Sequence, residues 1–344
     1  MRWDRFFDDL EDQLASEWEA ERAALDTEAE RLRLSRVQLV ERLTLLAGGR
    51  DATPTASFDL SDGTTLRAHV TGVGSDWAAP IEALRTLYRG YPQPAGSCDF
   101  TVRLEAEKPW RRWLRPSVAI RGDYVLPDAA PLSLALGLLA AEMGMNLQMA
   151  LGQRRWLLLH AATVERDGRA LILTGESGAG KSTLAALLGE RGWRLMGDEF
   201  ALLDMDSGLL MPFPRAVSLK NGAIRVMEAE VPADRFGPLL EGTPKGAIRH
   251  LRPNAAALAR MDEGAMPSLI LFPRFGPAAA VRGVGQAEVF MRLTQASTNY
   301  VALGRQGFEA LTRLVRTNPA LAIDYPDTGT AVGLVEDFWR ERAA

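Results

Sequence analysis

The stretch Leu171–Phe200, LILTGESGAGKSTLAALLGERGWRLMGDEF, is the part of the chain from which the rest can be placed. The apolar run from Ala170 to Leu173 predicts a buried strand. Gly175-Glu176-Ser177-Gly178-Ala179-Gly180-Lys181-Ser182 fits the pattern G-x-x-x-x-G-K-[ST] without a mismatch. Strong helix formers then run from Thr183 to Glu190. Strand, glycine loop and helix thus follow one another in the order a phosphate cradle requires. Glycines let successive backbone N–H groups turn toward phosphate oxygens, and a helix N-terminus adds partial positive charge. Residues 175–183 are therefore the expected binding segment for a nucleoside triphosphate, ATP by default. Lys181 is expected to reach the β- and γ-phosphates, and the Ser182 hydroxyl to ligate Mg²⁺.

The flanking sequence adds the groups a triphosphate site would use. Trp193 to Met196 reads as a strand expected beside and parallel to the loop's own strand, which brings Asp198 and Glu199 toward the phosphates. One carboxylate beside a metal stays ionised while its neighbour can accept a proton. His160 ends the strand 156–160, at the same expected edge. Arg215 and Lys220, followed by Asn221, are candidates for offsetting charge on a transferred phosphate.

Composition sets the frame. The 344 residues carry a net charge of -4, which argues against a generic nucleic-acid binder. A single cysteine, Cys98, allows no internal disulfide, and three scattered histidines form no metal signature. The N-terminus is acidic and has no apolar core of a signal peptide, so cytoplasm is the expected compartment. The longest apolar run, Ala129 to Leu151, contains Glu142, Asn146 and Gln148, which suits a core helix better than a membrane span.

The expected organisation has three parts. Residues 1–50 form an appended helical segment, with Trp3, Phe6, Phe7, Leu10, Leu14 and Trp18 on one face. That face suits the body of the protein or a partner; a coiled-coil arm making a homo-oligomer is the alternative, against irregular heptads. Residues 56–128 read as a small α+β lobe opened by a hairpin around 61–63. Residues 129–344 read as a P-loop kinase-like domain, with 131–153 one long helix, 228–266 rich in loops, and 288–315 helical.

The block His160…Gly175-x-x-Gly178-x-Gly180-Lys181-Ser182…Arg191-Gly192-Trp193-Arg194-Leu195…Asp198-Glu199 resembles the core of the HPr kinase/phosphorylase family. That family has R-G-H-x-L and Asp-Asp at the last two segments; here Trp193 stands at the histidine and Glu199 at the second aspartate. Pro214-Arg215, Ser218-Leu219-Lys220-Asn221, Lys245-Gly246 and His250-Leu251-Arg252-Pro253 are more similar to the branch called HPr-kinase-related kinase A. The resemblance spans roughly residues 85–340 and is strongest over 156–221.

It implies an α/β chain in which an α+β N-terminal lobe accompanies the compact P-loop kinase fold of the HPr kinase and phosphoenolpyruvate carboxykinase type. It implies Asp198 as the base that activates a serine hydroxyl, His160 as its polarising neighbour, Lys181 as a catalytic cation, and Glu199 on Mg²⁺. The family's E-x-R-G-x-G segment appears here as Ser218-Leu219-Lys220-Asn221-Gly222-Ala223-Ile224, which sets HPr itself aside as acceptor. A peptide or protein serine, or a small hydroxyl compound, is the expected acceptor. No nucleic acid or membrane partner is expected. A nucleotide-binding regulatory or scaffolding module with little turnover is the other reading of the same residues. A transporter-type ATPase is set aside, because no L-S-G-G-Q segment occurs.

Overall fold

The computed structural model describes residues 55–61, 64–71, 75–92, 98–108, 111, 115–124 and 130–343. Expectations for residues 1–50, for the strand at 125–126 and for Trp110, Arg112 and Trp113 lie outside the described residues. Residues 53–344 form one compact unit.

The first layer is a five-stranded sheet with its strands in chain order: β1 (Thr55–Ser61), β2 (Thr64–Thr71), β3 (Phe100–Ala106), β4 (Ser117–Gly122) and β5 (Leu132–Ser133). β1 and β2 make the expected hairpin, while β2 and β3 run parallel. Parallel neighbours need a crossover, and α1 (Ser75–Leu87) supplies it.

The helix expected from 131 begins later. A 3₁₀ turn occupies Leu134–Leu136, and α2 (Gly137–Gly152) then packs on β3, β4 and α1. The 19-residue stretch Leu134–Gly152 is long and apolar enough to cross a membrane, yet its apolar residues Leu138, Ala141, Met145 and Met149 are buried in the core. Its polar residues have partners inside the protein. Glu142 meets Arg215, Asn146 accepts from the same guanidinium, and Gln148 bonds both backbone groups of Tyr124, at 2.8 and 2.9 Å. Buried polar groups persist only when satisfied in this way.

The second layer is built on the glycine loop. β6 (Trp156–Leu159) leads into β7 (Ala161–Arg166) and β8 (Arg169–Thr174), then α3 (Lys181–Gly189) and β9 (Arg194–Gly197). Next come the hairpin β10 (Ala201–Asp204) and β11 (Leu210–Met211), then β12 (Val217–Lys220) and α4 (Gly222–Glu228). The segment expected to be rich in loops instead holds a second hairpin, β13 (Phe236–Thr243) and β14 (Gly246–Leu251), then α5 (Ala255–Ala259). The chain closes with β15 (Met266–Phe275), β16 (Ala280–Gly283), α6 (Gln286–Ala296), α7 (Tyr300–Thr317), β17 (Ala320–Tyr325) and α8 (Thr328–Ala343).

β16, β17, β15, β8, β7 and β9 form a six-stranded sheet in that order. β17, β15 and β8 are parallel. β9 is not beside the loop strand as expected: β7 lies between them, antiparallel to both. The tight turn at Arg166–Gly168 folds β7 back on β8 and occupies that edge first. β9 still runs in the direction of β8, so their C-terminal ends share one rim.

Side-chain alternation explains the layering. Leu171, Leu173, Leu269 and Leu271 face a core with α3 and α8, whereas Ala170, Ile172, Ile270 and Phe272 face α6 and α7. Two smaller sheets, β11-β10-β6 and β12-β14-β13, join the layers. Their residues Leu158, Leu202 and Ile248 share one core with Ile81, Val102 and Met145 of the first layer.

Candidate functional site

The ends of β8, β9, β12, β15 and β17 converge on a cavity of about 580 Å³, lined also by the start of α3 and by one face of α4. Such a crevice beyond the C-terminal ends of parallel strands is where α/β sheets present ligand sites. At its centre is the glycine loop. Gly175, Gly178 and Gly180 have φ of 146°, 84° and 92°, conformations L side chains rarely adopt. Gly180 has a second reason to lack a side chain, since a Cβ there would overlap the Tyr325 hydroxyl. That hydroxyl donates to the Ala179 carbonyl at 3.0 Å and braces the loop from β17.

Lys181 is buried, and its Nζ donates to the Gly175 and Glu176 carbonyls at 2.8 and 2.9 Å. Burial lowers its pKa, against the raising influence of Asp198 and Glu199. The ammonium is thus held inside the loop's own curl, at the place where an anion would sit.

Asp198, one residue past β9, is buried. Its carboxylate accepts from the Ser218 N–H at 3.2 Å, while Oδ1 has no hydrogen-bond partner. Burial first and the Glu199 charge second push its pKa up to about 7. Glu199 is partly exposed in the same cavity, its Oε2 lying 3.6 Å from His160 Nδ1. That imidazole nitrogen also lies 3.2 Å from the Glu199 carbonyl oxygen, so as the N–H tautomer it donates there. Burial outweighs the nearby carboxylate and lowers the His160 pKa, with Lys181 and Lys220 acting in the same direction. The His160 backbone is fixed as well, its N–H to the Ala296 carbonyl at 2.8 Å and its carbonyl to the Thr174 hydroxyl at 3.1 Å.

The cavity therefore brings together His160, Ser177, Gly178, Gly180, Lys181, Ser182, Thr183, Asp198, Glu199, Lys220 and Asn221. Gly175, Glu176 and Ala179 complete the loop behind them. Asn221 has φ of 50°, and its amide is engaged with the β13–β14 turn through Lys245 O and Ala247 N, both at 3.2 Å. Arg215 corrects the expectation placed on it. It is buried outside the cavity, paired with Glu142 and donating to the Tyr88 hydroxyl at 3.2 Å. An acid buried in α2 demands a countercharge, and Arg215 provides it.

Some wall residues had weak sequence signals. Lys245 entered only through the branch resemblance. Tyr325, Thr328 and Phe275 depend on β17 and the full length of β15, and Ala223 and Val226 on the register of α4.

Hard oxygen donors suit Mg²⁺, and the Ser182 hydroxyl and the Glu199 carboxylate are such donors in the cavity lining. The unpartnered Asp198 Oδ1 beside them is consistent with a site that gathers further polar groups on binding.

No protein-family model matches the chain, and no curated protein does. Among solved structures, the chain is similar to the Hpr(Ser) kinase/phosphatase from Coxiella burnetii, at 17% sequence identity with a TM-score of 0.27. The match covers 54% of this chain and 95% of that one. At that level of superposition no residue role passes from one protein to the other.

Proposed function

We propose that the protein is an ATP-dependent phosphotransferase that acts on a hydroxyl group, with a serine of a peptide or protein, or a small hydroxyl compound, as acceptor. The observation that carries this reading is the pairing of a phosphate-cradling loop with a proton-accepting carboxylate in one cavity. A base with a pKa near 7 is matched to work at neutral pH.

In the proposed reaction the acceptor oxygen attacks the γ-phosphorus of ATP, the bond from that phosphorus to the β–γ bridging oxygen breaks, and ADP leaves. Asp198 takes the hydroxyl proton. Lys181 exchanges its two loop carbonyls for phosphate oxygens and follows the charge as it moves to the leaving group. His160, held largely neutral and oriented by the Glu199 carbonyl, lies beside the carboxylate pair and orients the acceptor. Lys220 adds a cation within the same cavity. Mg²⁺, held by Ser182 and Glu199 when bound, would offset charge on the phosphates.

Incubation with Mg-ATP and serine-containing peptides, read by mass spectrometry, tests this. Asp198→Asn should keep ATP affinity within about threefold and lose transfer by about 10² or more. Undiminished transfer in that variant removes Asp198 as base.

One observation favours a second assignment within the same reaction. Asp198 is 3% exposed, while the Glu199 side chain is 25% exposed. Under this assignment Glu199 takes the proton and Asp198 orients Ser182 toward the metal. Glu199→Gln would then lose transfer with Mg-ATP affinity intact, and Asp198→Asn would lose the Mg²⁺ dependence of nucleotide affinity.

A further inference from the structure

A second cavity, of about 850 Å³, is larger than the one at the glycine loop and shares no lining residue with it. It is an open groove bounded by α1, β5, the 3₁₀ turn at 134–136, the start of α2, and β13. Pro80 and Ala83 of α1 line it together with Leu138 of α2. The two helices close tightly there, since a Cβ on Gly137 would overlap the Pro80 ring. Leu132, Leu134 and Leu239 extend the apolar lining, and Leu239 is 49% exposed. A single exposed leucine means little, but a contiguous apolar groove marks an interaction surface.

The charged side chains of the lining are Arg111 and Arg115, with no acid beside them, and among the described residues neither forms an ion pair. Arg111 spends its Nε–H on the Ser117 hydroxyl at 3.0 Å, which fixes the guanidinium and leaves four Nη hydrogens to donate. Arg115 is exposed and has φ of 46°, a strained conformation of the kind that collects at ligand clamps. An occupant that suits this lining combines an apolar body with carboxylates, which guanidinium groups grip in pairs of hydrogen bonds. The backbone narrows the choice further. β5 and β13 are edge strands, and among the described residues β4 and β14 are their strand partners. An edge offers a row of backbone groups that an extended peptide can use and an acyl chain cannot. Pro238 withholds one donor from β13 but keeps its carbonyl. We propose that the groove docks an extended segment of a partner protein in which Asp or Glu stands beside apolar residues. Its carboxylates meet Arg111 and Arg115, and its apolar side chains rest on Pro80, Ala83, Leu134 and Leu239.

Selection of a phage-displayed random dodecapeptide library on the full chain tests this, the recovered peptides being resynthesised for equilibrium binding and hydrogen exchange. They should carry Asp or Glu next to apolar residues and should slow amide exchange at 132–134 and 239–240. Replacing their acids by Asn and Gln should weaken binding about tenfold or more, and so should the double variant Arg111→Gln with Arg115→Gln. Leu239→Asp, at a half-exposed position, checks the apolar contact without touching either arginine and should weaken binding to a similar degree. Melting temperatures within a few degrees of the parent show that the variants are folded. Failure to enrich any sequence, recovered peptides without acids, protection elsewhere on the chain, or undiminished binding in both variants overturns the proposal. Dodecanoate that protects the same amides and binds more tightly than every recovered peptide overturns it as well, and gives the groove to an acyl carboxylate.

Discussion

Asp198 shows the cost of burying a carboxyl in a core. In the unfolded chain its carboxyl titrates near the ordinary value of 3.8, but in the folded protein near 7. Below about pH 4 both forms are protonated and the position costs nothing. As the pH rises from about 4 to about 7, the unfolded carboxyl ionises freely while the folded one resists, so stability falls across that window and levels off above it. Asn at 198 removes the titration. In protein stripped of nucleotide and metal with EDTA, Asp198→Asn should melt with the parent near pH 4 and about 5 °C above it at pH 8. Equal melting temperatures across that range would mean the carboxyl is not held neutral by its surroundings. Gly180 makes a different single-residue argument. Its φ of 92° and the overlap a Cβ would make with the Tyr325 hydroxyl both act on the loop peptide. Gly180→Ala should therefore lower nucleotide affinity more than tenfold, while Tyr325→Phe, which removes only the bond to Ala179, should cost about threefold to tenfold. Calorimetric titration with ATP distinguishes the two, and equal losses would show that the steric term is absent.

At the scale of elements, α8 is fastened to the sheet by aromatic and ionic contacts well away from the loop. Trp193 packs against Trp339 at a centroid separation of 4.6 Å and donates its indole N–H to Glu336 at 2.9 Å. Arg166 stacks on Trp193 and also pairs with Glu336 at 2.7 Å. Position 193 is thus a helix anchor. Trp193→Ala should cost about 3–5 kcal/mol in denaturant unfolding while the folded fraction binds ATP with unchanged affinity; a selective loss of affinity would make it part of the site. The strand, loop and helix of β8 and α3 were legible in the sequence because glycine placement and apolar run length are local signals. The hairpin β1–β2 and the core position of α2 were legible for the same reason. The order β8-β7-β9 was not, because which strand takes an edge is decided by the turn at Arg166–Gly168 and by packing, and strand direction alone does not specify it. The β13–β14 hairpin was hidden by Gly242 and Gly246, which read as loop but have φ of 68° and 83° within and beside bulged strands. Arg215 was misplaced because a cation near a phosphate site and a cation beneath a helix look alike until the buried acid of α2 is seen.

At the scale of the molecule, the sequence suggests a boundary near 128, whereas the core runs through it. Trp77, Ile81, Leu84, Val102 and Leu104, before that point, share one cluster with Leu158, Phe200, Leu202, Phe213, Leu240 and Ile248, after it. Arg215 and Glu142, both after that point, join the segment that leads into β12 to the helix that covers β3 and β4. β12 also delivers the Ser218 N–H to Asp198, so this junction bears on the geometry of the site. Arg215→Met leaves Glu142 charged and unpaired in the core and should cost about 3–5 kcal/mol, most of it recovered in the double variant Arg215→Met with Glu142→Leu. A chain cut to residues 129–344 would expose the apolar partners of Ile81, Leu84 and Val102 to water. At about 25 cal/mol per Å² of apolar surface, losing even a few fully buried side chains exceeds the usual margin of folding. That fragment should show no cooperative thermal transition and should aggregate, whereas the full chain gives one transition for residues 53–344. A fragment that melts cooperatively within a few degrees of the full chain would mean that residues 129–344 stand alone and that the shared cluster is only a contact between two independent cores.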